Sequence, residues 1–165
     1  ITPDWPAPAN VRATVSTRAG GVSQAPFDSL NLGDHVGDDP AAVAENRRRL
    51  VAAHGCQPAW LSQVHGIEVV EADPSHVMTA DANWSSTPGI ACTVLTADCL
   101  PALFCNRAGT RVAAAHAGWR GLVGGVLSLC WCFEDESLPA DWEQALEVRR
   151  YLAALSASTP GSRLP

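Results

Sequence analysis

The chain has 165 residues, of which 47% are hydrophobic and 17% charged, and its formal net charge is −6. A chain of this length and composition is expected to form one domain with its own hydrophobic core, which excludes an intrinsically disordered protein. The acidic balance also disfavours binding to nucleic acids, because no surplus of basic side chains is available to neutralise phosphates.

The first predicted elements are a strand and a long loop. Residues 11–17 alternate between apolar and polar side chains before a glycine pair, which is typical of a strand that enters a turn. Residues 18–39 are rich in Gly, Asp, Ser and Asn. Loops of this length are usually functional or disordered. The apolar side chains interspersed in this one predict that it packs against the protein, which favours a functional role.

A helix with clear boundaries is predicted over residues 40–54. Asp38 or Asp39 supplies the N-cap, Pro40 suits the first turn, and Gly55 ends the helix. The two arginines that follow position 47 point in different directions, so they are predicted to form an ordinary solvated surface. Val43, Leu50, Val51 and His54 fall on one side of this helix, with Asn46 and Arg47 near its edge, and His54 is predicted to lie at the surface.

Several short strands and two more helices are predicted further along. From Trp119 a helix is predicted whose glycines make it a poor intrinsic helix but suit close packing against a sheet. A last helix is predicted over residues 137–157, followed by a flexible tail. The strand candidates share apolar side chains and are bounded by Gly, Pro, Asn and Asp. They are residues 60–64, 67–71, 90–95, 101–105 and 111–115.

The six cysteines show neither a C-x-x-C pair nor regular spacing. No secretory leader opens the sequence, so free thiols in a cytoplasmic protein are predicted, most of them buried as small hydrophobic side chains. Cys92 and Cys105 are predicted to be such core thiols. No apolar run approaches the ~20 residues that span a membrane, so no membrane partner is expected.

The residues available for chemistry exclude some reaction classes. All eleven basic residues are arginine, which rules out Schiff bases, a phosphate-loop lysine and a Ser–Lys dyad. His65, Cys99 and His116 each lie beside a turn after an apolar stretch. Two imidazoles and a thiolate with an open fourth position suit catalytic zinc. Their spacing is not a local metal-binding pattern, however, so each is equally consistent with a hydrogen-bonded histidine or a core thiol.

Several motifs resemble the bacterial polyphenol-oxidoreductase laccase-domain family, whose members are regarded as purine nucleoside phosphorylases with adenosine deaminase activity. The resemblance covers residues 1–127 and implies an α+β fold, a single domain of mixed β-sheets flanked by helices, also described as cysteine-hydrolase-like. Residues 128–165 diverge and are expected to add one helix and a tail rather than a separate domain. The motifs are STRAGGVS, SLNLGDHVGDDP, ENRRRL, LSQVHG, TADA, TADCLPALF and AHAGWRGL.

The resemblance implies that His65, Cys99 and His116 hold zinc, with copper as the other possibility, in a cytoplasmic enzyme that acts on a purine nucleoside and phosphate. Cys99 and His116 are also expected to take part in catalysis. Arg120, beside the ligand turn, is expected to bind phosphate through its planar guanidinium. Asp98 is expected to orient a ligand or the loop. Two residues in family-like motifs, Asn31 and Arg47, are expected to line the nucleoside pocket. The oligomeric state is not predicted.

Three other functions are weighed against this one. A cysteine hydrolase would use Cys99 as nucleophile and His116 as base. A catalytically impaired fragment would result if the change of sequence at CWCFEDE marks a frameshift or truncation. A multicopper laccase is disfavoured, because the chain has five histidines without a His-x-His pair and one methionine, Met78, as a candidate axial ligand. The H-x-E…P-C-x-x-C signature of cytidine-type deaminases is missing from the sequence as well.

Overall fold

The computed structural model describes residues 1–127 together with Cys130. These residues belong to the first of the two units into which the chain divides, Ile1–Glu134. The second unit, Asp135–Pro165, lies outside the described residues, and so do the helix predicted over residues 137–157 and its tail. The domain boundary at residues 127 and 128 therefore stays a prediction.

Helices and short strands follow one another along the described chain, and the predicted α+β fold with mixed sheets is confirmed. A four-stranded sheet has the order β3-β5-β8-β7, and two parallel strand pairs, β1 with β6 and β2 with β4, accompany it. The elements are α1 (Pro40–His54), β1 (Gln57–Ala59), β2 (Leu61–Ser62), β3 (Val69–Glu71), β4 (Met78–Thr79), β5 (Ala82–Ser85), β6 (Ile90–Cys92), β7 (Leu100–Cys105), β8 (Val112–Ala117) and α2 (Trp119–Gly124).

The four-stranded sheet is mixed, because β3 pairs with β5 in parallel whereas β8 pairs with β5 and β7 in antiparallel fashion. Strand β7 lies at the edge of this sheet, where Pro101 is tolerated because an edge strand leaves one side of its backbone unpaired. In the β7–β8 register Pro101 lies opposite His116 and Leu100 opposite Ala117. The start of β7 and the end of β8 therefore meet at one end of the sheet.

The first helix confirms the predicted boundaries. Asp39 caps its start by accepting a hydrogen bond from the Ala41 amide at 2.9 Å. Gly55 ends it in the left-handed region at φ 65°, with its N–H donating to the Val51 carbonyl. On the apolar side of the helix Val43 and Asn46 are buried, Leu50 is half-buried and Val51 is exposed, and His54 is exposed as predicted.

The exposed arginines of α1 form a solvated surface, as predicted. Both Arg48 and Arg49 donate to the Glu45 carboxylate at 2.7–2.9 Å, one helical turn away. Hydrogen bonds from Arg48 and Arg49 lower the pKa of Glu45 to about 2. These pairs lie at the surface, where such interactions contribute little to stability.

Asn46 of α1 makes four hydrogen bonds to the long loop over residues 18–39. Asn46 is fully buried, and its Oδ1 accepts a hydrogen bond from the Val22 amide at 2.8 Å. Its Nδ2 donates to Ser23 Oγ and to the carbonyls of Ser29 and Asn31 at 2.8–3.1 Å. The loop thus packs against the helix, as the apolar side chains within it predicted.

One predicted strand is not formed, and three strands of the structure, β1, β4 and β5, were not predicted. Residues 11–17 do not form a strand, although Val15 and Ile1 exchange two backbone hydrogen bonds of 2.8 Å. Strand β5 was not predicted, although it pairs with two neighbours in the sheet, because the segment Ala82–Ser85 lacks β-branched residues and has a polar Asn83. Whether such a segment forms a strand depends on which neighbouring segment of the chain pairs with it.

The second helix approaches the rest of the structure closely at two glycines. A Cβ on Gly121 would lie 2.7 Å from the Gly66 carbonyl oxygen, and one on Gly124 would lie 2.6 Å from Ile67 Cγ2. Close packing at these glycines is present, but the neighbour is the turn before β3 and not a strand of the sheet, which was the prediction. Beneath α2 the core consists of Ala82, Ala115, Ala117, Val126 and Cys130, with Val69, Ala102, Phe104, Leu122 and Leu127 packed against it.

The five cysteines among the described residues are free thiols, and Cys132 lies outside that part of the chain. Burial and then the nearby Cys130 raise the pKa of Cys92 to about 12, and its thiol points to the Val112 carbonyl at 3.5 Å. Cys92 and Cys105 are nevertheless half-buried, as are Cys56 and Cys99, and of these five Cys130 is buried, so the prediction that most of the thiols are buried in the core is wrong. Within the described residues, no helix is both long enough and apolar enough to cross a membrane.

Candidate metal centre

Three side chains far apart in the sequence meet at one end of the four-stranded sheet. The candidate ligand atoms of His65, Cys99 and His116 all lie within 4.8 Å of one another. The His65 and His116 rings have centroids 4.7 Å apart and are nearly perpendicular, at 76°. The predicted convergence of two imidazoles and a thiol is therefore present in the structure.

The separation of these donors fits a tetrahedral zinc ion. Cys99 Sγ lies 3.8 Å from His65 Nε2. A tetrahedral ion with Zn–S near ~2.3 Å and Zn–N near ~2.0 Å separates its sulfur and nitrogen ligands by about 3.5 Å. The observed spacing therefore needs only a small adjustment to hold an ion. Imidazole and thiolate are also donors that zinc and copper accept.

His65 sits in the turn between β2 and β3 with an unusual backbone conformation. Its φ is 59°, in the left-handed region that non-glycine residues seldom adopt. The amides of Val64, His65 and Gly66 all donate to the carboxylate of Asp81, at 3.1, 2.8 and 2.6 Å. These three bonds to one carboxylate hold the turn that presents the His65 ring.

His116 is the penultimate residue of strand β8 and is almost fully buried. Its Nδ1 is 2.8 Å from Oδ1 of the same Asp81, and its backbone N–H donates to the Asp81 carbonyl at 2.7 Å. Burial alone would raise the pKa of Asp81, but the hydrogen bonds from His116 and from the three turn amides outweigh it and lower the pKa. Because a carboxylate can only accept hydrogen bonds, this contact suits the His116 tautomer that has its proton on Nδ1.

Cys99 is the residue immediately before β7, and its thiol lies at the centre. Burial, followed by the charge of the neighbouring Asp98 and that of Asp81, raises the pKa of the Cys99 thiol. A free thiol with a raised pKa is a poor nucleophile, because the thiolate is the reactive form. A bound cation would lower the pKa of the thiol, since coordination deprotonates it. The surroundings of Cys99 therefore suit a metal ligand better than an isolated nucleophile.

Gln63 connects the His65 turn to the segment that leads to Cys99. Its side-chain amide makes two hydrogen bonds to the backbone of Leu95, donating to the carbonyl at 2.8 Å and accepting from the N–H at 2.7 Å. Leu95 is four residues before Cys99. This pair of bonds sets the distance between the two ligand-bearing segments.

Gly118 leaves room between the three candidate ligands. A Cβ placed on Gly118 would lie 3.0 Å from His65 Cδ2, 3.1 Å from Cys99 Sγ and 3.7 Å from His116 Cε1. Its φ of −60° and ψ of 157° are open to any residue, so the need for glycine comes from space alone. The cradle formed by the three ligands thus includes the bare Cα of Gly118.

We expect Gly118→Ala to weaken zinc binding about tenfold or more, because the methyl group presses on His65 and Cys99. Competition with a chromophoric chelator measures this affinity. Gly33→Ala is the matched control, since a Cβ there meets its nearest atom at 3.4 Å, a nearly ordinary contact, and should leave the affinity unchanged. Equal affinities for the Gly118 variant and the wild type would show that the ligands tolerate the methyl group.

The centre lies on the wall of a cavity of about 1890 Å³. His65, Cys99 and His116 line this cavity together with Asn31 from the long loop. The cavity is larger than the roughly 300–1,000 Å³ of most small-molecule pockets, so it has room for more than one small molecule. Aromatic rings that line it are those of Trp5, Phe27, Trp60 and Phe104.

Asn31 and Arg47, which were predicted to line the nucleoside pocket, differ in their relation to the cavity. Asn31 faces the cavity, but its amide is engaged within the loop, with the Gly33 backbone and with Asp38. Arg47 is not among the cavity-lining residues. Its guanidinium lies 4.3 Å from the centre of the Trp60 ring, and its Nε donates to the Leu32 carbonyl.

Arg120 and Asp98 lie close to the ligands along the chain. Arg120 is exposed at the start of α2, with its guanidinium 5.4 Å from the centre of the Trp119 ring, and it is not among the cavity-lining residues. Asp98 is exposed on the cavity wall. The roles expected of Arg120, Asn31 and Arg47 therefore stay predictions.

Asp81, Gln63 and Gly118 were not predicted as site residues. A signal for them was present, because each lies inside a motif that carries the family resemblance: TADA, LSQVHG and AHAGWRGL respectively. A motif alone does not say which of its side chains faces a partner. Only the folded chain brings Asp81 under both histidines.

Comparison with known proteins places these features in context. Residues 12–137 match the family described as multi-copper polyphenol oxidoreductase laccase. A purine nucleoside phosphorylase of Pseudomonas aeruginosa is 75% identical over 127 residues, which cover 77% of this chain and 52% of the relative. Purine nucleoside phosphorylase YfiH of Escherichia coli is 59% identical over 140 residues, covering 82% of this chain and 58% of the relative. The chain spans about half the length of these curated relatives.

Solved structures are similar over the same part of the chain. A Neisseria meningitidis protein described as belonging to the DUF152 family superposes with a TM-score of 0.76 at 56% identity, covering 78% of this chain and 54% of that one. YlmD of Geobacillus stearothermophilus superposes with a TM-score of 0.57 at 30% identity, covering 72% of this chain and 49% of that one.

Proposed function

Because the chain belongs to the multi-copper polyphenol oxidoreductase laccase family, whose relatives here are named purine nucleoside phosphorylases, we propose that it contributes a metal-dependent centre for purine nucleoside phosphorolysis. The reaction joins phosphate to the ribose C1′ as the bond from C1′ to the purine nitrogen breaks. The observation that carries the proposal is the convergence of His65, Cys99 and His116 on the cavity wall.

In this proposal His65, Cys99 and His116 hold a zinc ion. The ion supplies Lewis-acid chemistry at a coordination position that the three protein ligands leave open. Copper is the weaker candidate, since Met78 lies on β4 and is not among the residues that line the cavity. Among the described residues one three-ligand group is found, whereas a multicopper oxidase needs several copper ions.

Three residues outside the metal centre are proposed to bind the substrates. Arg120 is proposed to bind phosphate, with its planar guanidinium suited to two oxygens at once. Asn31 and Arg47 are proposed to serve nucleoside binding from the long loop and from α1. Arg47 would act indirectly, because it contacts Trp60 and Leu32, and both of these residues line the cavity. Adenosine deamination is proposed as a second activity of the same centre.

The cysteine hydrolase is the second candidate. Its Cys99–His116 pair is supported by the buried carboxylate of Asp81 behind the His116 ring, which resembles the third member of a catalytic triad. The raised pKa of Cys99 speaks against it, and the Cys99 thiol lies 3.8 Å from His65. A catalytically impaired fragment is the third candidate, since the chain spans about half the length of its curated relatives.

The test uses purified, metal-analysed protein with inosine or adenosine and phosphate. We expect release of base and ribose 1-phosphate, and of ammonia from adenosine, in wild type and a large loss of each in His65→Ala. The metal centre needs His65, whereas a Cys99–His116 hydrolase does not. Activity that survives in His65→Ala would refute the proposal, and an inactive wild type that still binds zinc would indicate an impaired fragment.

A further inference from the structure

Asp81 contacts both histidine-bearing segments of the centre. Its side chain is completely buried at the start of β5. Oδ1 accepts hydrogen bonds from the His65 amide and from His116 Nδ1, each at 2.8 Å. Oδ2 accepts from the amides of Val64 and Gly66 at 3.1 and 2.6 Å. Four donors therefore surround one carboxylate.

The bond to His116 selects one form of its imidazole. A neutral imidazole has one N–H donor and one nitrogen with a free lone pair. Because the carboxylate of Asp81 can only accept, the proton must lie on Nδ1, and Nε2 keeps the lone pair that a metal requires. Carboxylate partners of metal-bound histidines commonly act in this way.

The bonds to the turn act on the other histidine. A non-glycine residue in the left-handed region costs about 1–2 kcal/mol, and His65 holds this conformation at φ 59°. Three successive backbone N–H groups that converge on one anion offset that cost. The direction of the His65 ring is therefore determined by a carboxylate 16 residues further along the chain.

We propose that Asp81 is the positioning residue of the centre, which holds the His65 turn and the His116 ring in their ligating orientations before any ion binds. This inference rests on the proposed function, because it assumes that the two histidines are ligands. It adds a role for a residue that makes no direct contribution to the coordination sphere.

The isosteric change Asp81→Asn separates this role from simple packing. If the Asn oxygen faces His65 and His116, its NH2 group opposes the amides of Val64 and Gly66. If the side chain is flipped, the NH2 group opposes the His116 Nδ1–H and the His65 amide. Either orientation keeps one pair of bonds and breaks the other, with almost no change in volume.

Two measurements test the proposal. In metal-free wild type, nitrogen-15 NMR of the imidazoles should show His116 protonated on Nδ1. In Asp81→Asn, zinc affinity measured by chelator competition should fall about 10- to 100-fold. Asp73→Asn is the matched control, because Asp73 also accepts from a backbone amide and lies 2.9 Å from a histidine Nδ1, that of His76, on an exposed turn. It should bind zinc as the wild type does.

The outcomes distinguish the two levels of inference. A wild type that binds no zinc overturns the proposed function, while the NMR measurement still decides whether Asp81 sets the His116 tautomer. Zinc binding by Asp81→Asn at wild-type affinity overturns the positioning role and leaves the metal centre intact. Should Asp81→Asn fail to fold, the wild-type spectrum decides: a His116 protonated on Nε2 would overturn the role.

Discussion

Cys99→Ala is expected to abolish stoichiometric zinc binding. The thiolate is the one anionic ligand in the three-residue set, and its sulfur lies within 4.8 Å of the ligand atoms of both imidazoles. Structural zinc sites with four ligands bind with roughly 10–16 kcal/mol, so one ligand accounts for on the order of 3 kcal/mol, or more than about 100-fold in affinity. Zinc content after dialysis and chelator competition measure the loss.

Cys92→Ala is the control for this experiment. Cys92 is also a free thiol, but burial raises its pKa to about 12, its thiol contacts the Val112 carbonyl, and it does not belong to the three-ligand group. Its removal should reduce stability modestly and leave zinc binding unchanged. If Cys99→Ala retains one zinc ion per chain at wild-type affinity, the assignment of the centre is wrong, and another set of ligands must be sought.

Asn46→Asp is expected to lower the free energy of unfolding by about 3 kcal/mol or more. The exchange keeps the shape of a fully buried side chain but replaces its two N–H donors with an acceptor that faces three oxygen atoms. Each buried polar group left without a partner costs roughly 1–3 kcal/mol, and the buried charge adds to this. Urea denaturation followed by circular dichroism measures the change.

Asn10→Asp provides the matched control, because Asn10 is exposed and donates one hydrogen bond to the Gly109 carbonyl. A change of less than about 1 kcal/mol is expected there. Asn46→Asp should also release the loop over residues 18–39, which hydrogen exchange at the Val22 amide would detect. A wild-type unfolding curve for Asn46→Asp would mean that the loop does not depend on this side chain.

Local signals in the sequence predicted the elements that local interactions determine. The first helix begins and ends where its capping residues indicate, since Asp39 and Gly55 act on backbone groups within a few residues. Strands β7 and β8 were predicted within two residues from their apolar composition. The strand predicted over residues 11–17 was wrong, because a period-two pattern forms a strand only where a neighbouring chain supplies the hydrogen bonds.

The residues of the candidate site also fall into two groups, those that sequence motifs indicated and those whose role depends on contacts in the folded chain. Motif resemblance indicated His65, Cys99 and His116, and the structure brings them together. It did not indicate Asp81, whose function depends on four donors from two other segments. A carboxylate between two strand candidates is ordinary in sequence, and the importance of Asp81 becomes visible only when its neighbours in space are known.

The sequence by itself determined the capped helix, the family and the three residue types that suit a metal. Each of these follows from short-range hydrogen bonding or from the identity of side chains. The tertiary structure decided that the ends of β7 and β8 meet, that Asp81 lies beneath both histidines, and that Gly118 leaves the space between the ligands. These features arise from contacts between segments tens of residues apart, whose geometry depends on strand pairing and packing rather than on any local pattern.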